Sequence, residues 1–194
     1  MARLGYSTVK TNLWTVAPNA VGFVVLLAIS KSSDHLRERT YHIVFSLIIS
    51  LLGMIVLSSI DVLAHTGVAY FACLLMAAGS YAPSVLVHSW HNNNNLEENS
   101  RAATTGFLVG LGNLGGILSA GTFRVEYAPA YKPTLIATSC CNAVCIVFTL
   151  GLGLWMKRDN RRRNKEQGVV IRAEDIDTAC VADGVKSAQW RWFT

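Results

Sequence analysis

Charge is missing from five long stretches of this 194-residue chain. No Asp, Glu, Lys, Arg or His lies in residues 12–30, 43–60, 66–87, 102–123 or 133–156, and His88 stands just past the third. Charged residues are only 15% of the whole, against 52% hydrophobic. That scarcity excludes a water-soluble surface over most of the chain. Each stretch is about the length that crosses bilayer hydrocarbon as an α-helix, roughly 20 residues. The absence of ionisable groups also limits mechanism, because intramembrane acids, bases and histidines usually mark proton relays and ion paths. A proton carrier, if one is used, lies outside these spans. No N-x-[ST] acceptor occurs anywhere. Residues 1–10 have neither an apolar core nor a small-residue cleavage site, so no cleaved leader is expected there.

The cysteines define no framework. Cys73, Cys140, Cys141 and Cys145 fall inside spans, where a thiol behaves as a small hydrophobe. Cys180 lies in the polar tail. Cys141 and Cys145 share a helical face without a histidine or acid, and His88 and His91 lack a third ligand, so neither pair makes a metal site. No acid, base and nucleophile converge in the pattern, so no enzymatic centre and no cofactor are expected.

Among the stretches, residues 102–123 invite two readings. Gly110, Gly112 and Gly115 match G-x-G-x-x-G, the dinucleotide fingerprint. That motif needs a strand before it, a helix opening at it and an acid about 20 positions on. The preceding residues show no strand alternation, and the first acid downstream is Glu126, which is too close. The alternative is a membrane helix with small-residue faces. Gly106 with Gly110, and Gly112 with Gly116, are small-xxx-small pairs that permit close approach of helix backbones, on two different faces.

Lys and Arg fall unequally on alternate sides of the spans. Lys31, Arg37, Arg39, Arg101, Lys157, Arg158, Arg161, Arg162, Arg163 and Lys165 lie on one side, ten in all, against Arg3, Lys10, Arg124 and Lys132. By the positive-inside rule the ten face the cytoplasm, with the amino terminus outside and the carboxy terminus inside. The net charge of +5 is then topological. The basic residues flank spans rather than form a stripe on a folded domain, which argues against a nucleic-acid partner. The partner implied is the lipid bilayer.

Uncharged polar residues inside the spans recur with helical spacing. Asn12, Thr15 and Asn19 share one face of the first span, beside Pro18 and Gly22; Ser80, Ser84 and His88 recur every four residues of the third, beside Tyr81 and Pro83; Asn113 sits among the glycines of the fourth. These positions suit hydrogen bonding to a polar solute in a cavity, and they suit equally the interhelical hydrogen bonds that hold membrane helices together. Ser46, Ser50, Thr138, Asn142 and Thr149 of the second and fifth spans read as packing residues. In the first loop, KSSDHLRERTYH, Asp34 followed by Arg37 and Arg39 suits a charge lock between helix ends. The second loop, HSWHNNNNLEENSR, offers Trp90 as an interfacial anchor and asparagines to cap the next helix. After Met156, KRDNRRRNK forms a membrane-proximal basic cluster that attracts anionic lipid or stops transfer. The rest reads as a short solvated tail ending in Trp190, Trp192 and Phe193.

Taken in order, these segments resemble the carboxy-terminal half of fungal major facilitator superfamily transporters, in the anion:cation symporter group that includes allantoate-permease-like proteins. The carrying residues are LGYST at Leu4 to Thr8, TNLWTVAP at Thr11 to Pro18, SDHLRER at Ser33 to Arg39, SWHNNNN at Ser89 to Asn95, RAATTGFLVGLGNLGGI at Arg101 to Ile117, Phe123 and Arg124 with APAY just after, and DNRRRN at Asp159 to Asn164. The ending GVKSAQWRW is similar as well.

The resemblance implies an all-α integral membrane fold in which the five spans match the eighth to twelfth helices of twelve. Residues 1–156 would be an incomplete six-helix bundle and 157–194 a cytoplasmic tail. Substrate would bind near the midplane between two bundles, with the first, third and fourth spans on the cavity and the second and fifth outside. Asn12, Thr15, Asn19, Ser80, Tyr81, Ser84 and Asn113 become substrate-pathway candidates, and Asp34, Arg37 and Arg39 a degenerate gating loop. The function implied is uptake of a small organic anion or related polar solute with protons, at the plasma membrane. A departure is that Ala17, Pro18 and Asn19 stand where a VPP is expected. The larger one is the absence of seven helices and of the amino-terminal half that would complete the transporter. That points to a truncated product or an incomplete gene model. The alternative is a truncated, non-transporting membrane protein that at most associates with other helices.

Overall fold

In hydrocarbon no water satisfies backbone N–H and C=O groups, so an uncharged run of about 20 residues closes its hydrogen bonds internally as a helix. A computed structural model of the chain describes residues 8–128, 131–176 and 184–194. Arg3, most of the LGYST segment, Pro129 and Cys180 lie outside them. The described residues form five long helices: α1 (Thr8–Leu36), α2 (Thr40–Ser59), α3 (Thr66–Asn93), α4 (Glu98–Thr122) and α5 (Lys132–Gln167). All five are long and apolar enough to cross a membrane, and no strand occurs among the described residues. The fold class is the one expected, an all-α integral membrane protein.

Two helices run further than their apolar stretches. α1 continues through Ser33 and Asp34, and α5 continues through the whole basic cluster to Gln167, 36 residues in all. Part of the expected tail is therefore a rigid extension of the fifth span. Pro18 and Pro83 sit inside α1 and α3, as membrane helices tolerate where neighbours re-satisfy the freed backbone.

α3 is the centre of the packing, with α1 on one side and α2 on the other, while α5 lies against the far side of α2. α4 only brushes α3, and none of its residues is buried. Ile29, Ile43, Ala82, Leu86, Trp90 and Met156 form a core near the α1–α2 connection. Helix backbones approach closely at glycines. A Cβ on Gly79 would strike the Ser46 carbonyl and Ser50 of α2; one on Gly53 would lie 2.8 Å from the Ala72 carbonyl of α3. Gly22 lies under the Tyr81 ring, and Gly153 of α5 lies against Thr40.

Gly106, Gly110, Gly112 and Gly116 behave differently from the expectation within this chain. A Cβ at any of them would meet nothing within 4 Å. The small residues that bring helices together are on α3 instead, where Ala69, Ala72, Ala78, Gly79 and Ala82 are buried. Any helix that packs on the α4 glycines is not among the described residues.

Candidate functional site

Of the polar residues expected to line a solute pathway, the structure brings two together. Tyr81 Oη of α3 donates to Asn19 Oδ1 of α1 at 2.6 Å. Gly22, one turn along α1 from Asn19, leaves the room the Tyr81 ring occupies. Nearer the start of α1, Tyr70 Oη donates to the Trp14 carbonyl at 3.0 Å, with the two rings edge to face at 4.8 Å. The α1–α3 face is thus laced by polar contacts at membrane depth. Ser80 turns to α2: its hydroxyl lies 3.1 Å from Ser50 Oγ and donates to the Met76 carbonyl at 2.6 Å. That is an interhelical packing bond. Asn12, Thr15, Ser84 and Asn113 are exposed, and Asn113 stands on α4, whose contact with the bundle is slight.

At the other end of the bundle the expected charge lock forms through Arg39 and not through Arg37. Arg39 pairs with Asp34 at 2.5 Å and donates to Ser33 Oγ at 2.9 Å. Arg37 pairs instead with Glu174, beyond α5, at 3.1 Å. Glu38, which the sequence reading passed over, is the hub. Its carboxylate caps the Tyr41 amide, meets His42 at 3.2 Å and pairs with Lys157 of α5 at 3.3 Å. Lys157 in turn lies over the Tyr41 ring, 3.9 Å from its centre. Nor do the asparagines of the second loop cap α4 directly. Asn95 donates to Ser100 Oγ at 2.9 Å, and the residue at the cap position is Glu97.

The last residues are not a solvated tail. They run back across the ends of α2, α3 and α5, held by side chains at the ends of α3 and α5 and by a backbone amide just before α2. Phe193 exchanges two hydrogen bonds with Asn94, which caps α3, 2.8 and 2.9 Å, and its carbonyl also accepts from Trp90 Nε1 of α3 at 2.7 Å. Trp192 exchanges two 2.8 Å bonds with Asn160 of α5 and donates from its indole to Asp159 at 2.9 Å. Arg191 donates to Asn164 Oδ1 at 2.6 Å and to Gln167 Oε1 at 2.8 Å. The Arg39 amide donates to the Thr194 carbonyl at 2.9 Å. Trp190 and Arg191 are 3% and 2% exposed, as buried as the core.

Asparagine suits this work because one side chain offers both a donor and an acceptor to the C=O and N–H of a single residue. Two such pairs, at Asn94 and Asn160, seize consecutive residues of the tail. The signal available in the sequence was an apolar WRWF cluster ending an otherwise polar segment, which has no reason to be aromatic unless it docks.

Asp159 sits at the centre of this network. Burial alone would raise its pKa. Hydrogen bonds from the Trp192 indole and Arg163, with the charges of Arg163 and Arg162, outweigh burial and hold it below its ordinary 3.8. A group whose folded pKa is depressed contributes stability above its unfolded pKa and loses it as pH falls through the folded value. Tail docking should therefore be unchanged from neutral pH down to about 4 and weaken below that. Hydrogen exchange of residues 188–194 against pH checks this. Release at pH 5 to 6 would assign control to another group. For Arg191, burial and the neighbouring Arg163 charge lower the pKa, partly offset by Asp159.

No protein-family model matches the chain, and no solved structure does. Curated relatives do. The chain is 63% identical over 193 residues to the major facilitator-type transporter hxnP of Emericella nidulans, covering 100% of this chain and 39% of that protein. It is 52% identical over 190 residues to the MFS-type transporter efuF of Hormonema carpetanum, covering 98% and 38%. A thiamine pathway transporter of Saccharomyces cerevisiae is 25% identical over 163 residues, covering 84% and 31%. The chain thus spans about two fifths of the length of the first two relatives, 39% and 38%.

Proposed function

Since major facilitator-type transporters are its relatives along its whole length, we propose that this chain is the carboxy-terminal part of a secondary transporter for a small organic anion or related polar solute. The observation that carries the reading is the 63% identity over 100% of the chain, a level at which fold and residue environments are shared. Its relatives are named as transporters rather than enzymes, which accords with a sequence in which no acid, base and nucleophile converge. The allantoate-permease-like subgroup, proton coupling, a plasma-membrane location and a cytoplasmic carboxy terminus belong to the same proposal. Support for the last is the ten-to-four bias of basic residues.

In this reading α1, α3 and α4 face the central cavity. Asn12, Thr15, Asn19, Tyr81, Ser84 and Asn113 present hydrogen-bonding groups to the solute, and the Asn19–Tyr81 bond fixes the orientation of two of them. Ser80 keeps a mainly structural part through Ser50. The spans carry no Asp, Glu, Lys, Arg or His, so in this reading the proton-carrying residue lies outside them. The helices that complete the transporter supply the surface for Gly106, Gly110, Gly112 and Gly116, and Asp34, Arg37 and Arg39 face them as a gating loop. Alternating access needs one bundle to rock against another, so activity requires both parts.

The test is uptake of labelled small organic anions in cells making the chain alone, the amino-terminal part of the 63% identical relative alone, or both. Transport only on co-expression is the expected result. No transport with both parts inserted and associated would favour a non-transporting membrane protein. In the active pair, Asn113→Leu should lower uptake about five- to tenfold, the worth of one hydrogen bond at the solute. Unchanged uptake would remove Asn113 from the pathway.

A further inference from the structure

The tail's return across the bundle forms one side of a half-open recess of about 440 Å³. One wall is α5 just past its apolar run, where Lys157 and Arg161 follow Met156. Arg37 at the end of α1 and the segment from Arg172 to Glu174 form others, and the returning Trp192 to Thr194 forms a further one.

The charges of this lining do not balance. Arg37, Lys157, Arg161 and Arg172 face it against two anions, the Glu174 side chain and the carboxylate of Thr194. Arg37 and Arg172 share that carboxylate at 3.1 and 3.4 Å. Lys157 is met from outside the cavity by Glu38. Arg161 has no acidic partner within 4.0 Å among the described residues. Asn160 and Asn164 also line the cavity, but their side chains are committed to Trp192 and Arg191. A recess walled by protein and carrying an excess of one sign focuses the field on its interior and concentrates counter-ions there. Three of the four cations are arginines, whose planar forks match the oxygen pairs of phosphate.

The depth is as informative as the charge. Lys157 and Arg161 fall within about 8 Å of the last apolar residue of α5 at 1.5 Å per residue, which is the level of lipid headgroups.

We propose that this cavity is a binding site for a phosphate-class anion, held by Arg37, Arg161 and Arg172, and that its occupancy secures the tail against α5. The anion has two possible sources with one chemistry: the headgroup of an anionic phospholipid at this end of the bundle, or a free phosphate in the adjoining solution. Either would neutralise the shared guanidiniums and hold the segment from Arg172 to Glu174, and with it the tail, on the helix ends.

The experiment uses the full chain with two probes, phosphatidic acid in phosphatidylcholine nanodiscs and inorganic phosphate titrated in detergent. Binding and the hydrogen exchange of residues 188–194 are both read. Saturable binding that slows exchange in the tail is expected, and the double variant Arg161→Gln with Arg172→Gln should weaken it at least about tenfold. Neither residue bonds the tail, so the double variant retains the docked fold, and Arg124→Gln at the other end of the bundle serves as a control. Saturation by phosphatidic acid only identifies a headgroup site; saturation by both probes identifies a site for the free anion. The proposal is overturned if neither probe saturates, or if the double variant binds as tightly as the parent.

Discussion

Gly79→Leu is expected to separate α3 from α2 and to leave the chain unable to hold its helix packing. A Cβ at this position already collides with the Ser46 carbonyl and with Ser50, one of whose atoms would lie 2.8 Å away. The obstruction is backbone, which has no rotamer by which to yield. Overpacking a well-filled core typically costs about 1–3 kcal/mol, and leucine against a helix backbone belongs at or above the upper end. The Ser50–Ser80 hydrogen bond, one residue along α3, goes with it. Thermal unfolding in detergent, or cross-linking between α2 and α3, reads the effect. Gly116→Leu supplies the contrast. Nothing lies within 4 Å of Gly116, so this substitution should leave the isolated chain's unfolding unchanged and impair only its association with the further helices proposed to pack on α4. Equal damage from both in the isolated chain would show that α4 packs on neighbours after all.

Arg191→Met should free the tail. Arg191 is 2% exposed and donates to Asn164, to Gln167 and to the carbonyls of Ala188 and Trp190. Methionine keeps the straight apolar stem and none of the donors. Hydrogen bonds from a charged group contribute about 1.5–3 kcal/mol, and the half-buried Asn164 and exposed Gln167 oxygens lose their charged donor. A loss of about 2–3 kcal/mol corresponds to roughly 30- to 150-fold less hydrogen-exchange protection in residues 188–194. The membrane helices should retain their protection, because the tail's contacts lie at their ends. Full protection of the tail in the variant would mean that the two asparagine pairs suffice and Arg191 is only a passenger.

Both expectations concern contacts that periodicity could not assign. In water a helix face that packs is more apolar than one that does not, and the difference can be read in sequence. In a bilayer, lipid tails are as apolar as leucine, so the pattern loses that contrast. Gly79 and Gly116 sit in similar surroundings of small and apolar residues. One is wedged against α2 and the other is open. The first-loop charges show the same limit. Asp34, Arg37 and Arg39 invited a local lock, and Arg39 meets Asp34 as that reading would have it. Arg37 was drawn away because chain folding brings Glu174 within 3.1 Å. Asn19 and Tyr81 were each identified as polar residues at membrane depth, but that they bond to one another followed from the crossing of α1 and α3.

What the sequence determined by itself is the number of long apolar helices and their approximate limits. Each rests on a local quantity, the presence or absence of charge in a window the width of the hydrocarbon. The tertiary structure decided which glycines pack, which loop charge pairs with which, and that the final residues are a docked segment rather than a solvated tail. Trp90 and Phe193 meet across 103 positions of chain. A bond of that span depends on where three helix ends lie relative to one another, and no window of sequence contains that arrangement.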